Sequence, residues 1–150
     1  MFGPSFQDFV IEKPAHSPHY QYHLHNPEDP KSFRRAVYRF LVRSQQQPFM
    51  TTLDCADPSL LVDKRNESLS ALQALVLLNN GFMLVQSKEF AKRLERDFPK
   101  PQQVENAFLI ALGRKPTQSE LESLTALATQ YSLADLARVL FNLNEFSFVD

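Results

Sequence analysis

The chain has 150 residues, a formal charge of −1 and one cysteine, Cys55. Its length suits a single domain. The balanced charge argues against a dedicated nucleic-acid binder, which carries a clear basic excess, and a lone cysteine rules out an internal disulfide.

Residues 1–30 contain Pro4, Pro14, Pro18, Pro27 and Pro30 and all four histidines. Proline at this density forbids regular helix. Phe6, Phe9, Val10, Ile11, Tyr20 and Tyr22 make the segment too apolar for free disorder. It reads as an extended arm laid over a helical body, with one short strand near residues 7–11. Met1-Phe2-Gly3-Pro4 has neither a charged nor an apolar signal region. The chain is therefore expected to be cytosolic or a piece of something longer.

Asp29-Pro30-Lys31-Ser32 reads as the start of the first helix. Phe33, Ala36, Val37, Phe40 and Leu41 follow at helical spacing. Lys31, Arg35, Arg39 and Arg43 lie four apart and predict a basic stripe, to which Arg34 adds a fifth cation. No acid falls between Asp29 and Asp54. A solvated face, or pairing with Asp54, Asp57, Asp63 and Glu67, is the plain reading. Arg34, Arg35, Arg39 and Arg43 are the candidates for an anion or partner site. Residues 48–67 form a long connection, a length often tied to function.

Leu69 to Leu78 has only Ser70 and Gln73 as polar residues, predicting a helix buried nearly all round. Ser68 or Ser70 suits the N-cap. At about half the roughly 20 residues a membrane span needs, the run cannot cross a bilayer. Gln73, Asn79 and Asn80 must find partners, because an unpaired buried amide costs about 1–3 kcal/mol. Gln73 is expected to bond the backbone of the arm or of residues 48–67. Asn79-Asn80-Gly81 predicts a left-handed C-cap or a kink. An amphipathic helix then runs from Phe82 through Val85, Phe90 and Leu94 to Asp97.

Three short helices complete the chain. Val104, Ala107, Phe108, Ala111 and Leu112 face a core, and Gly113 ends that helix. Thr117 and Glu120 make a capping box before Leu121, Leu124, Leu127, Ala128 and Tyr131. Ser132 and Asp135 suggest a second box before Leu133, Leu136, Ala137 and Leu140. Residues 141–149 suggest an extended tail. The fold expected is all-α: a compact bundle of about five to six helices over residues 31–150, with the Pro/His-rich arm at 1–30.

Two groupings could carry chemistry. His16, His19, His23 and His25 are imidazoles at spacing compatible with one metal, with Asp54, Cys55 or Asp57 completing a site. Alternatively they are polar residues of an irregular arm, bonding carbonyls that no helix satisfies. Cys55 could be a nucleophile with a histidine as base, or a small buried hydrophobe. Asp54 and Asp57 could share acid–base work, or shape the loop. Only three glycines exist, none clustered into a phosphate loop, and no Gly-x-Ser-x-Gly is present.

Several segments together carry a resemblance. They include Met1-Phe2-Gly3-Pro4, His16-Ser17-Pro18-His19-Tyr20 and Arg34-Arg35-Ala36-Val37-Tyr38-Arg39-Phe40. Leu53-Asp54-Cys55-Ala56-Asp57-Pro58-Ser59, Leu72-Gln73-Ala74-Leu75 and Leu77-Leu78-Asn79-Asn80 follow. Leu112-Gly113-Arg114-Lys115-Pro116-Thr117 with Glu120 comes next, and the chain closes on Leu143-Asn144-Glu145-Phe146 with Val149-Asp150. As a set, in this order, they resemble the C-terminal portion of the planctomycete domain-of-unknown-function family 1553. The resemblance implies an exported or periplasmic setting and longer relatives, often joined to a cytochrome-c-like domain. It carries over no catalytic residues. This chain has no Cys-x-x-Cys-His, so no covalent haem is expected, while a metal ion stays open.

The first expectation is a non-catalytic helical accessory domain, docked on an upstream domain or partner protein through an exposed apolar patch. It implies no nucleic acid and no membrane span. The alternative is a metal-dependent or hydrolytic site, which requires the histidines and the 54–57 loop to converge.

Overall fold

The computed structural model describes residues 4–12, 16–57, 59–60 and 70–147. Met1, Asp63, Glu67, the alternative cap Ser68 and residues 148–150 lie outside them. The chain forms two compact units, residues 1–73 and 74–150. Seven helices and one two-stranded sheet are seen among the described residues, a mainly helical fold.

In the first unit the arm is extended, as its prolines require. Strand β1 (Val10–Glu12) pairs antiparallel with β2 (His19–Gln21), placing Ile11 opposite Tyr20. Phe9, which is buried, gathers the aromatic side chains of this unit. Tyr20, Tyr22 and Phe40 meet it edge-on at 5.0, 5.7 and 6.0 Å between ring centroids. That is the arrangement aromatic quadrupoles favour. Gln45 fastens the arm further: its amide oxygen accepts from Tyr20 N (3.2 Å), its amide nitrogen donates to Tyr20 O (2.8 Å), and its carbonyl accepts from the Tyr22 hydroxyl (3.1 Å).

The helix expected from Lys31 onward does not form. Asp29 does cap a turn, accepting from Lys31 N, but the turn is a three-residue 3-10 piece, Pro30–Ser32, followed by another at Ala36–Tyr38. The chain then runs extended and pairs with the arm. Phe6 N donates to Tyr38 O (3.1 Å) and Phe40 N donates to Phe6 O (2.8 Å), a parallel bridge between Phe6 and Arg39. The aromatic pocket around Phe9 needs Phe40, and the arm's backbone needs partners. Together these long-range demands override the helical period of Phe33 to Leu41. Helix α1 (Pro48–Thr52) follows, capped by Gln47, whose side chain accepts from Met50 N (2.7 Å).

Helix α2 (Ala71–Asn79) forms where the apolar run predicts it. Ser70 is its cap: Ser70 Oγ accepts from Gln73 N and Gln73 Oε1 accepts from Ser70 N, both at 3.2 Å, a reciprocal capping box. The expected burial all round is corrected. Gln73 and Leu77 are buried, whereas Leu72 and Leu75 are 60% and 56% exposed.

The second unit packs together α3 (Gly81–Asp97), α4 (Lys100–Leu112), α5 (Gln118–Gln130), α6 (Leu133–Phe141) and α7 (Asn144–Ser147), with α6 against α3, α4, α5 and α7. The break at Asn80 has a different cause from the one expected. Asn80 is extended and caps α3, its side chain accepting from Phe82 N at 2.9 Å; neither Asn80 nor Gly81 is left-handed. Leu94, Val104, Ala107, Phe108, Leu136 and Leu140 form the core, with Leu121, Leu124, Leu127 and Ala128 packed against it. Tyr131, expected beside them, is exposed. The expected extended tail is instead α7 over Asn144–Ser147, where Phe146 packs on Phe141 at 4.9 Å. No described helix is long and apolar enough to cross a membrane.

Candidate functional site

The arm and the 39–47 segment enclose a polar cluster inside the first unit. The parallel bridge places Arg39 beside Phe6, and Asp8 follows Phe6 on the same face of the extended chain. Asp8 Oδ2 lies 3.6 Å from Arg39 Nη1, and the two side chains are only 12% and 10% exposed. Three buried atoms here find no hydrogen-bond partner: Asp8 Oδ1, Arg39 Nε and His25 Nε2. Burial pushes the Asp8 carboxyl above its ordinary range, against the opposing pull of Arg39 and, more weakly, of His25. Burial, and then the Asp8 charge, likewise raise the Tyr22 phenol.

Chemically the cluster is a desolvated ion pair with hydrogen-bonding capacity to spare. Such pairs fix geometry more than they add stability. Arg39 also borders a small cleft with Gln47, Met50, Thr51 and Cys55, of about 20 Å³. That is room for about one water, far below the few hundred Å³ of an ordinary ligand pocket.

The histidines proposed as metal ligands are spread along the arm. His16 and His23 are exposed, and His19 sits in β2 opposite Glu12. Among the described residues no three of His, Cys, Asp and Glu are grouped to hold a metal ion. Asp57 shapes its loop: its carboxylate accepts from Ser59 N (2.8 Å) and Ser59 Oγ (2.7 Å), which lowers its pKa. Asp54 has a left-handed backbone, φ 56°, and its carboxylate accepts from Gln73 Nε2 at 3.0 Å. Gln73 thus reaches residues 48–67 as expected, through the Asp54 side chain.

The basic stripe is not a helix face, because the helix is absent. Arg34 lies over the Tyr38 ring, 4.4 Å from its centroid, and donates to Pro4 O. Arg39 turns inward to Asp8. Arg35 and Arg43 stay exposed, with no ion-pair partner among the described residues.

In the second unit the motif from Gly113 to Glu120 is an interhelix clamp. Gly113 ends α4 with φ 74°, and Thr117 and Glu120 complete the expected capping box on α5. Arg114, between them, grips Glu120 (2.9 and 3.1 Å) and Glu145 (2.6 and 2.9 Å) and lies over the Phe108 ring. Its guanidinium, with the Thr117 bonds, lowers the Glu120 pKa to about 2. At the neighbouring helix, Ser132 caps α6 by accepting from Asp135 N. Asn79 donates to Leu75 O within α2.

Asp8, Gln45 and Glu145 carry roles that the sequence alone did not reveal. Their partners lie 31 residues away for Asp8, 25 for Gln45 and 31 for Glu145, beyond the reach of any local period. The other outward feature is apolar. Val37, two residues after Arg35, is 77% exposed, and Phe40 and Leu41, a few positions on, are exposed too.

No curated protein and no solved structure matches the chain. A family model does, that of PSD1, a protein of unknown function, over residues 1–128. The match takes in the arm, the Asp8–Arg39 cluster, the 54–57 loop, α2 and the Gly113–Glu120 clamp. With most of its length covered, the chain belongs to the PSD1 (DUF1553) family of proteins of unknown function.

Proposed function

We propose that the chain works as a protein-interaction module and not as a catalyst. The observation that carries this reading is α2. It bears no charged residue, and Leu72 and Leu75, three positions apart and so on one face, are both more than half exposed. Exposed apolar side chains that lie together, unlike ones scattered singly, mark interaction surfaces. The exposed Val37, Phe40 and Leu41 support the same reading.

Photo-crosslinking in the source cells tests it. A photoreactive side chain at Leu72 should capture one protein, and Leu75→Glu should abolish the capture. No crosslink from position 72 or 75, or turnover of a substrate that depends on Cys55 or Asp8, would overturn the reading.

A further inference from the structure

We infer that the extended segment around Leu41 is a docking edge for an extended, acidic segment of another protein, which adds to it as a β-strand. The inference rests on the interaction reading and names the place and the partner's chemistry.

Backbone direction is the first observation. Along an extended chain, successive N–H groups point to opposite sides. Phe40 N points to the arm, where Phe6 O accepts it. Leu41 N therefore points away from the arm, and it has no hydrogen-bond partner among the described residues. On that side Arg39 N is already taken by Ala36 O, so the open stretch is short and begins at Leu41, where another chain's backbone can complete it. Side chains are the second observation. Phe40 and Leu41 are exposed on the segment itself, and Val37 just before it is the most exposed large apolar residue of the set.

Charge is the third. Arg35 and Arg43 flank the segment without ion-pair partners among the described residues, and no acid occurs between Asp29 and Asp54. An incoming strand that carries Asp or Glu among apolar residues would match both the cations and the apolar side chains, and charge complementarity of this kind sets partner choice. An anionic lipid surface would match the cations too, and its phosphate oxygens could accept from the one N–H, but only a peptide backbone supplies both a donor and an acceptor to the extended chain. The edge therefore favours a peptide.

The probe is a fluorescent peptide of about eight residues, a usual strand length, alternating Glu or Asp with Val or Ile. It is titrated against the full chain by anisotropy. Saturable binding is expected, weakened about tenfold or more by Arg35→Glu/Arg43→Glu, both exposed positions, and weakened likewise by salt. A version N-methylated at alternate amides should not bind, since it cannot form the ladder. Equal binding of the N-methylated peptide would overturn strand addition. So would charge-dependent binding to phosphatidylglycerol vesicles with no binding to the peptide. No binding of any probe, with the crosslink at position 72 retained, would overturn this edge alone. Loss of both would remove the interaction reading with it.

Discussion

Replacing Gln73 by Leu removes its side-chain bonds to Asp54 and Ser70 at the start of α2 and leaves an apolar side chain of similar size. Gln73 is 8% exposed; its Nε2 donates to the Asp54 carboxylate at 3.0 Å, and its Oε1 accepts from Ser70 N at 3.2 Å. A hydrogen bond to a charged group contributes about 1.5–3 kcal/mol. Losing half of a capping box costs about 0.5–1 kcal/mol more, while leucine recovers part of this through apolar burial. A net loss of about 2 kcal/mol follows, or roughly 4–8 °C in a chain of this size. Urea and thermal unfolding followed by circular dichroism would measure it. A double-mutant cycle with Asp54→Gly isolates the pair, because glycine also relieves the left-handed φ of 56° and the cycle subtracts that single-site effect. The coupling should be about 1–2 kcal/mol. A melting shift under about 1 °C, or additive single mutants, would refute the argument.

Gly113→Ala should destabilise by roughly 1–2 kcal/mol in denaturant titration, since φ is 74° and nothing lies within 4 Å of the new methyl; the penalty is backbone strain alone, and an unchanged midpoint would contradict it. Phe108→Ala, at a side chain 1% exposed in the core, should cost about 3–5 kcal/mol on the same assay. Because the folded pKa of Glu120 lies near 2 against an ordinary 4.5, its stabilisation holds above the ordinary value and fades as pH falls toward 2. Arg114→Ala should remove most of that acid-linked loss, and an unchanged pH profile would count against the clamp. For Asp8 the sign is opposite. Its folded pKa is raised above 3.8, so its contribution is fullest below that value and is lost as pH rises through the folded one. A carboxyl titration by carbon NMR with a midpoint below 3.8 would contradict this.

The second unit was legible because its signals are local. Ser132, Thr117 and Gly113 punctuate helices by bonds to atoms within four residues, and the 3.6-residue period of Val104, Ala107 and Phe108 coincides with the core they build. From Lys31 onward the first unit is not legible, for the converse reason. Phe33, Ala36, Val37 and Phe40 satisfy a helical period, yet the chain there answers to Phe6, Asp8 and Phe9, about 30 residues earlier. Helix propensity is a weak prior against such pairing. In α2 the composition correctly predicted a helix and wrongly predicted its burial. Apolar residues all round are what a buried helix requires, but they are equally what an interaction face requires, and Leu72 and Leu75 are on the surface. The basic stripe failed with its helix. What survived is the charge imbalance itself, redistributed into one buried cation, Arg39, one stacked on Tyr38, and the exposed Arg35 and Arg43.

Native mass spectrometry of the chain, isolated gently from its source cells, tests the interaction reading most directly. The account predicts a single protein partner bound in fixed stoichiometry and lost when Leu72 and Leu75 are both replaced by Glu. A chain carrying a stoichiometric metal ion or small molecule in place of a protein, with the leucine replacements making no difference, would contradict it.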